Sequence, residues 1–397
     1  MKKKLLFLIL IFFVEVVVGQ QNILSDQAEI SVLTIGPGAS LNDAFGHSGF
    51  RVKDPVKGID LVFNYGVYDF ETPNFYTKFA QGKLNYLIGL NYYEDFFQSY
   101  ISQNRTIKAQ VLNLSASEKQ KLFDYLLNNL KPENKAYLYD FFYDNCATKI
   151  KDVTNLAVNN SLVFNTPEDY KDQTFRTLIQ NNLNRNSWGS FGIDIALGSV
   201  IDRKARTEDH MFLPENIFKF FEVARIKNNQ PLVKESNVIY KKIETPTPSN
   251  FLTSPLFIFG ILGGLILIIT YTDFKKQKQT VWLDVTLFSI TGLIGVLILL
   301  LWFATDHKGT HQNYNLLWAF ALNIFVIRQL VRKKISTWFL KYLKLLVILL
   351  CLLTLHWTMG VQVFAIGLIP LLIALFIRYL YLIKYYSNNL IYAKAQS

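Results

Sequence analysis

Polar and apolar positions along the chain fall into two regimes that meet near residue 250. Before that point apolar residues alternate with polar ones or recur at helical spacing, as half-buried strands and amphipathic helices around one core require. Beyond it, apolar runs follow one another at 256–272, 282–303, 315–331, 341–357 and 361–380. Each approaches the roughly 20 residues that cross a bilayer, the third and fourth being the shortest. A single run of this kind could be a buried core helix; five in succession predict an all-α transmembrane domain of five helices over 256–384, followed by a cytoplasmic tail at 385–397. The stretch 241–255, with Pro246 and Pro248, reads as a linker. At the start, Met1-Lys2-Lys3-Lys4 precedes an apolar run from Leu5 to Val18 broken by Glu15. Residues 1–19 therefore read as a secretory signal cleaved before Gln20, or as an N-terminal anchor. Residues 20–240 remain as an exported domain.

The formal net charge of +11 is explained by where the cations sit. Lys275, Lys276 and Lys278 follow the first run; Arg328, Arg332, Lys333 and Lys334 follow the third, with Lys341 and Lys344 flanking the fourth; Arg378 and Lys384 end the fifth. The intervening loops hold only Lys308. Basic loops alternate with neutral ones, which places the C-terminus in the cytoplasm and the N-terminal domain outside, in the periplasm of a bacterial inner-membrane protein. No nucleic-acid partner is needed to account for the charge. No zinc-binding spacing, phosphate-binding loop or dinucleotide fingerprint occurs, so neither a metal nor a cofactor is expected.

Of two cysteines, Cys351 lies inside an apolar run and Cys146 does not. An unpaired thiol in an exported domain is a candidate nucleophile. Asn145 or Asp144 can cap a helix in which Ala147, Ile150 and Val153 share a face, placing Cys146 in the first turn, where free N–H groups favour a thiolate. A base is available in His47, at the head of a strand-like run His47-Ser48-Gly49-Phe50-Arg51-Val52. Its orienting partner is expected on the next such run, Asn64 first, with Asp60 and Tyr65 as alternatives. His210, between Asp209 and Met211, is expected to be a surface histidine beside acids. Strand histidine before helix cysteine is the chain order of circularly permuted papain-like proteins. The runs Gly46-His47-Ser48-Gly49 and Asn145-Cys146-Ala147-Thr148 resemble the permuted NlpC/P60 group, implying an α+β fold of that kind.

Between the second and third apolar runs, one outer loop carries Asp306, His307, His311 and Asn313. These are candidate substrate-binding residues for a lipid headgroup, or groups that align the exported domain. The aromatic stretches Phe75–Tyr86 and Tyr92–Phe97 suit either core packing or acyl chains, and the amphipathic stretch Phe212–Ile226 suits packing on the domain or on the membrane surface.

A closer likeness extends over nearly the whole mature chain. Gly46–Val52, Asn64–Phe70, Asp140–Thr148, Met211-Phe212-Leu213-Pro214, Thr305-Asp306-His307 and Asn313–Trp318 resemble the Bacteroides-type lipoprotein N-acyltransferase (Lnb) family. The resemblance implies a cysteine-dependent acyltransferase, with a membrane phospholipid as acyl donor and a diacylated lipoprotein as acceptor. It carries Cys146 and His47 as catalytic residues. Two other classes compete: a peptidoglycan amidase or endopeptidase, which leaves the membrane runs unexplained, and a non-enzymatic maturation factor, which would not require Cys146. Oligomeric state is not legible in the sequence.

Overall fold

A computed structural model describes residues 23–244, 250–332 and 335–395, with side chains as far as 388. The expected signal segment at 1–19 and the prolines of the linker lie outside the described residues.

The exported half is built on a seven-stranded antiparallel sheet: β1 (Glu29–Ile35), β2 (His47–Asp54), β3 (Ile59–Val67), β4 (Asn85–Tyr92), β5 (Ile107–Leu112), β6 (Ala136–Leu138) and β7 (Val233–Tyr240), ordered β6-β4-β3-β2-β1-β5-β7. β1 is central, so its apolar residues cover both faces. Ile30 and Val32 join Phe50, Val52, Phe63 and Tyr65 on one face; Leu33 and Ile35 join Val62 and Ile107 on the other. Helices α1 (Phe75–Ala80), α2 (Tyr93–Ser102), α3 (Ala116–Asn129), α4 (Cys146–Ala157), α5 (Phe175–Gln180), α6 (Trp188–Ala196) and α7 (Pro214–Val223) follow the strands. α3, α4 and α7 cover the first face through Leu122, Phe123, Ile150, Val153, Ile217 and Phe221; α2 covers the second through Phe96. The amphipathic stretch after Phe212 thus packs on its own domain. His210 departs from expectation: it is buried in a 3-10 turn with its ring 5.0 Å from that of Tyr170, because Met211 and Phe212 pull the turn into the core.

In the membrane half, α8 (Pro255–Lys276), α9 (Val281–Phe303), α11 (Thr337–Thr358) and α12 (Ile369–Ala395) are, among the described residues, the four helices long and apolar enough to cross a bilayer. The third expected span is not one continuous helix. Residues 315–331 form a 3-10 turn over Tyr314–Leu317 and an eight-residue helix, α10 (Asn323–Leu330), about 12 Å long. The cause is polar anchoring. Asn323 donates to Thr291 Oγ1 at 2.8 Å, halfway along α9, and accepts from Tyr342 at 2.6 Å, in the second turn of α11. Gly292 gives the irregular backbone room, since a Cβ there would meet Ile324 N at 2.8 Å. Non-helical backbone at such depth survives only when protein covers it, and Trp318, Ala319 and Asn323 are all buried. At the other end α12 continues to Ala395, through the stretch read as a tail.

The two halves meet along α6 and the loop behind it. Trp188 donates to Thr253 O at 2.8 Å, Phe191 and Ile195 pack against the membrane core, and Gly198 N donates to Gly309 O at 2.9 Å. Buried Arg176 organises this joint, binding the carboxylates of Asp194 and Asp202 and the carbonyls of Leu197 and Gly198.

Candidate active site

Asn145 creates the start of α4. Its Oδ1 accepts from the N–H groups of Ala147 (2.8 Å) and Thr148 (3.0 Å), while its Nδ2 donates to Phe141 O (2.7 Å) and Phe212 O (2.8 Å). Thr148 Oγ1 accepts from the Asn145 N–H at 2.8 Å, closing a reciprocal cap. Of the two capping residues considered, Asn145 is the one used; Asp144 pairs with Lys149 at 2.8 Å.

Cys146 occupies the first turn, half-buried, at a gap in the sheet. β2 and β3 are paired no further than Gly49 opposite Asn64, and β3 bulges between Tyr65 and Val67. Gly66 lies in that bulge at φ +94°, a conformation that glycine alone adopts readily, and a Cβ there would stand 3.8 Å from that of Cys146. The N–H of Ser48, of Ala147 and of Cys146 itself donate toward the sulfur. Ser48 is the residue after His47, so the splayed strands bring the thiol to the head of β2.

His47 Nε2 lies 3.4 Å from Asn64 Oδ1, and Asn64 Nδ2 donates to Asn91 Oδ1 at 2.9 Å. With Asn64 presenting its oxygen, Nε2 carries the proton and Nδ1 keeps its lone pair. The His47 ring also lies among Phe96 and Tyr100, at 6.5 and 6.3 Å between centroids. The two other orienters considered are engaged elsewhere. Asp60 forms a two-point pair with Arg51, both contacts at 2.7 Å, and the Tyr65 hydroxyl donates to Asn129.

Burial dominates the electrostatics. It pushes the Cys146 thiol up to about 11, against the N–H groups and the Arg105 cation, and it pulls the His47 imidazole down to about 4, against the Asn64 hydrogen bond. At pH 7 burial therefore favours a neutral thiol at Cys146 and a neutral imidazole at His47, not a thiolate and an imidazolium. Arg105 was invisible in the sequence. It is buried, stacks its guanidinium 4.8 Å over Tyr100, donates through Nε to Gly36 O and through Nη1 to Asp43 and Gln103, and leaves Nη2 without a partner among the described residues. Nothing in Gln103-Asn104-Arg105-Thr106 announces it. Asn91 was also passed over, although asparagine inside a strand is unusual enough to be a signal.

The outer-loop residues divide. Asp306 N donates to Gln81 O at 2.8 Å, and His307 Nε2 is paired with Phe79 O at 3.0 Å, so both touch the end of α1. Asn313 is fully buried, donating to Ile195 O and Ala196 O while its Oδ1 accepts from Asn315 and Gln362. The His311 carbonyl packs on Gly198. None of the four contacts Cys146 or His47 through a hydrogen bond. Asp306 does line a cleft of about 340 Å³ with Tyr139, Asp140, Asp144, Lys149 and Lys308, between the start of α4 and the membrane loop; neither Cys146 nor His47 is in its wall.

Two family models match the chain: the Lnb N-terminal periplasmic domain over residues 18–181 and the Lnb transmembrane domain over residues 247–389. No curated protein and no solved structure matches it.

Proposed function

The chain belongs to the Lnb family, a multi-pass membrane protein with a periplasmic N-terminal domain, and we propose that it is a lipoprotein N-acyltransferase working through a Cys146 thioester. What supports this reading is one cysteine at a helix start, reached by the Ser48 N–H, and a desolvated histidine one residue before Ser48, held by Asn64. A buried neutral imidazole is a competent general base, and a thiol needs one when it is not already ionised.

His47 Nδ1 takes the Cys146 proton as sulfur attacks the ester carbonyl of a phospholipid. The N–H groups of Cys146 and Ser48, which act on the sulfur in the resting site, would stabilise the developing oxyanion. Collapse forms the thioester, breaks the ester C–O bond and releases a lysophospholipid whose oxygen takes the proton back from His47. The neutral α-amine of a diacylglyceryl-cysteine lipoprotein then attacks the thioester. His47 accepts an amine proton, the amide forms, and the departing thiolate recovers that proton. In this reading Asn64 orients His47, Asn91 orients Asn64, and the domain is a permuted papain-like fold. Asp306 and His307 hold α1 against the membrane loop. His311 and Asn313 act at the joint between the halves. Residues 314–331 form a fifth, broken crossing, which returns the chain to the side from which α11 starts and leaves the C-terminus in the cytoplasm.

Mass spectrometry of lipoprotein N-termini tests the reaction directly: cells carrying the chain should add a third acyl group, and cells with Cys146→Ala should not. Three acyl chains in the Cys146→Ala strain would discard the thioester. An unchanged N-terminus with cleaved peptidoglycan stems would move the protein to the amidase class.

A further inference from the structure

Between β3 and β4 the chain leaves large aromatic side chains in the open. Phe70, Tyr76 and Phe79 are 64, 78 and 52 % exposed, and Tyr68 is half-exposed beside them. They are one surface, not scattered residues. Phe75 underlies them, with ring centroids 4.8 Å from Phe70, 5.3 Å from Tyr76, 6.4 Å from Phe79 and 5.8 Å from Tyr68. A contiguous aromatic patch of this kind marks a contact with something apolar.

Both ends of the patch are anchored to places already described. At the inner end, Tyr68 meets Tyr86 at 5.4 Å and Tyr86 stacks on Tyr139 at 4.1 Å. Tyr68 also follows by two residues Gly66, which stands against Cys146. At the outer end, the Phe79 and Gln81 carbonyls are held by His307 and by the Asp306 N–H. Asp306 comes three residues after Phe303, the last residue of α9. Extended chain covers at most about 3.6 Å per residue, so the end of α1 lies within about 14 Å of the top of that membrane helix. Phe303 is itself exposed and stacked on Trp302, the aromatic pairing expected where a helix leaves the bilayer. The patch therefore ends within about 14 Å of the lipid-facing surface of α9. Lys78 and Lys83, in the same helix and turn as Phe79, supply cations where headgroup phosphates would lie.

We propose that the face formed by Tyr68, Phe70, Tyr76 and Phe79 seats an acyl chain of a membrane phospholipid and leads it from the bilayer surface toward Cys146. The proposal rests on the acyl-transfer reading for its direction, and it adds the surface that reading lacks. Proximity to the exposed end of α9 and the flanking lysines select a lipid over a second copy of the chain.

A photo-reactive phenylalanine placed at Tyr76 or Phe79 in the full-length protein, irradiated in its own membrane, should yield adducts with the mass of a phospholipid. The same group at exposed Val238, on β7, should yield none. Adducts to a second copy or to a lipoprotein, or no adduct at 76 and 79, would overturn the seat. In a second arm, the Phe70→Ser/Tyr76→Ser/Phe79→Ser variant is assayed for Cys146 acylation by a long-chain phospholipid and by a short, water-soluble ester. The long-to-short ratio should fall about tenfold, the loss of contact with roughly two methylenes. An unchanged ratio overturns the proposal. Lipid adducts at 76 and 79 without any thioester in the unaltered protein would keep the seat and reject the acyl-transfer reading; a thioester without adducts would do the reverse.

Discussion

Arg378 and Arg105 are both buried cations, one in the membrane half and one beside the thiol, and they differ in how completely they are surrounded. Arg378 donates to Asp284 at 2.6 and 2.9 Å and to Asp273 at 2.9 Å, tying α12 to α9 and α8 with no exposed surface on any of the three. Arg105 shares one nitrogen at 3.3 Å between Asp43 and Gln103, its carboxylate partner is 39 % exposed, and another nitrogen has no partner among the described residues. A saturated guanidinium holds elements together. An undersaturated one keeps a field that reaches its neighbours, and Arg105 lowers the proton affinity of both His47 and Cys146.

The largest effect is expected at the groups that this field acts on. Cys146→Ala and His47→Ala should each reduce acyl transfer at least about a thousandfold, and the double variant should be no worse, since the two act as one unit. Trapped thioester, read by mass spectrometry, separates them from inert positions such as Cys351→Ser, which should retain activity. Substantial transfer by His47→Ala would remove the general base from the scheme.

Arg378→Met tests the other side of the comparison. It leaves two buried carboxylates without their cation, a loss of about 3–5 kcal/mol, visible as poor accumulation and a lower unfolding midpoint in detergent. A native midpoint would mean that α8, α9 and α12 hold together without it.

Arg105→Gln should cost about tenfold in transfer and, more tellingly, should move the pH dependence. In the unaltered protein His47 is unprotonated above about pH 4 and the Cys146 thiol ionises near pH 11. Alkylation of Cys146 by iodoacetamide should then climb steadily from neutral to alkaline pH without a plateau near 7. Without the cation both proton affinities rise, so the acid limb of transfer shifts to higher pH and alkylation at a fixed alkaline pH slows. Unmoved limbs with lost activity would make Arg105 a support for the Gly36–Gly46 loop and nothing more.

Smaller losses are expected further from the sulfur. Asn64→Ala should reduce transfer about tenfold and Asn91→Ala less, because Asn91 reaches His47 only through Asn64. His307→Ala should cost a few-fold, removing one 3.0 Å contact to Phe79 O while the buried Asn313 contacts keep the halves joined. A larger loss at Asn91 than at Asn64 would break the order of that relay.

Much of the molecule was legible in its residues. Cys146 stood out because the other cysteine lay in an apolar run, and the Ala147, Ile150 and Val153 spacing announced α4. Asn64 could be named because it lies on the strand next to that of His47, although its register partner is Gly49. The break in the third membrane segment is not legible because average hydropathy cannot register Asn315 and Asn323, whose side chains meet α6 carbonyls, Asn313 and Trp318, and Thr291 and Tyr342, respectively. His210 was misjudged for a related reason: adjacent charges suggested a surface, while neighbouring apolar residues decided burial.

The sequence by itself determined the division into a sheet-rich exported half and an apolar helical half, the strand and helix periods within them, and which thiol and imidazole were available. Those follow from local pattern and from scarcity. Only the tertiary structure decided that β2 and β3 part beyond Gly49 so that Cys146 reaches the Ser48 N–H, that burial leaves thiol and imidazole neutral, that Arg105 arrives from a turn distant in the chain, and that the outer loop grips α1. Each of these depends on which groups lose water and which meet across long separations, and that is fixed only when the whole chain has packed.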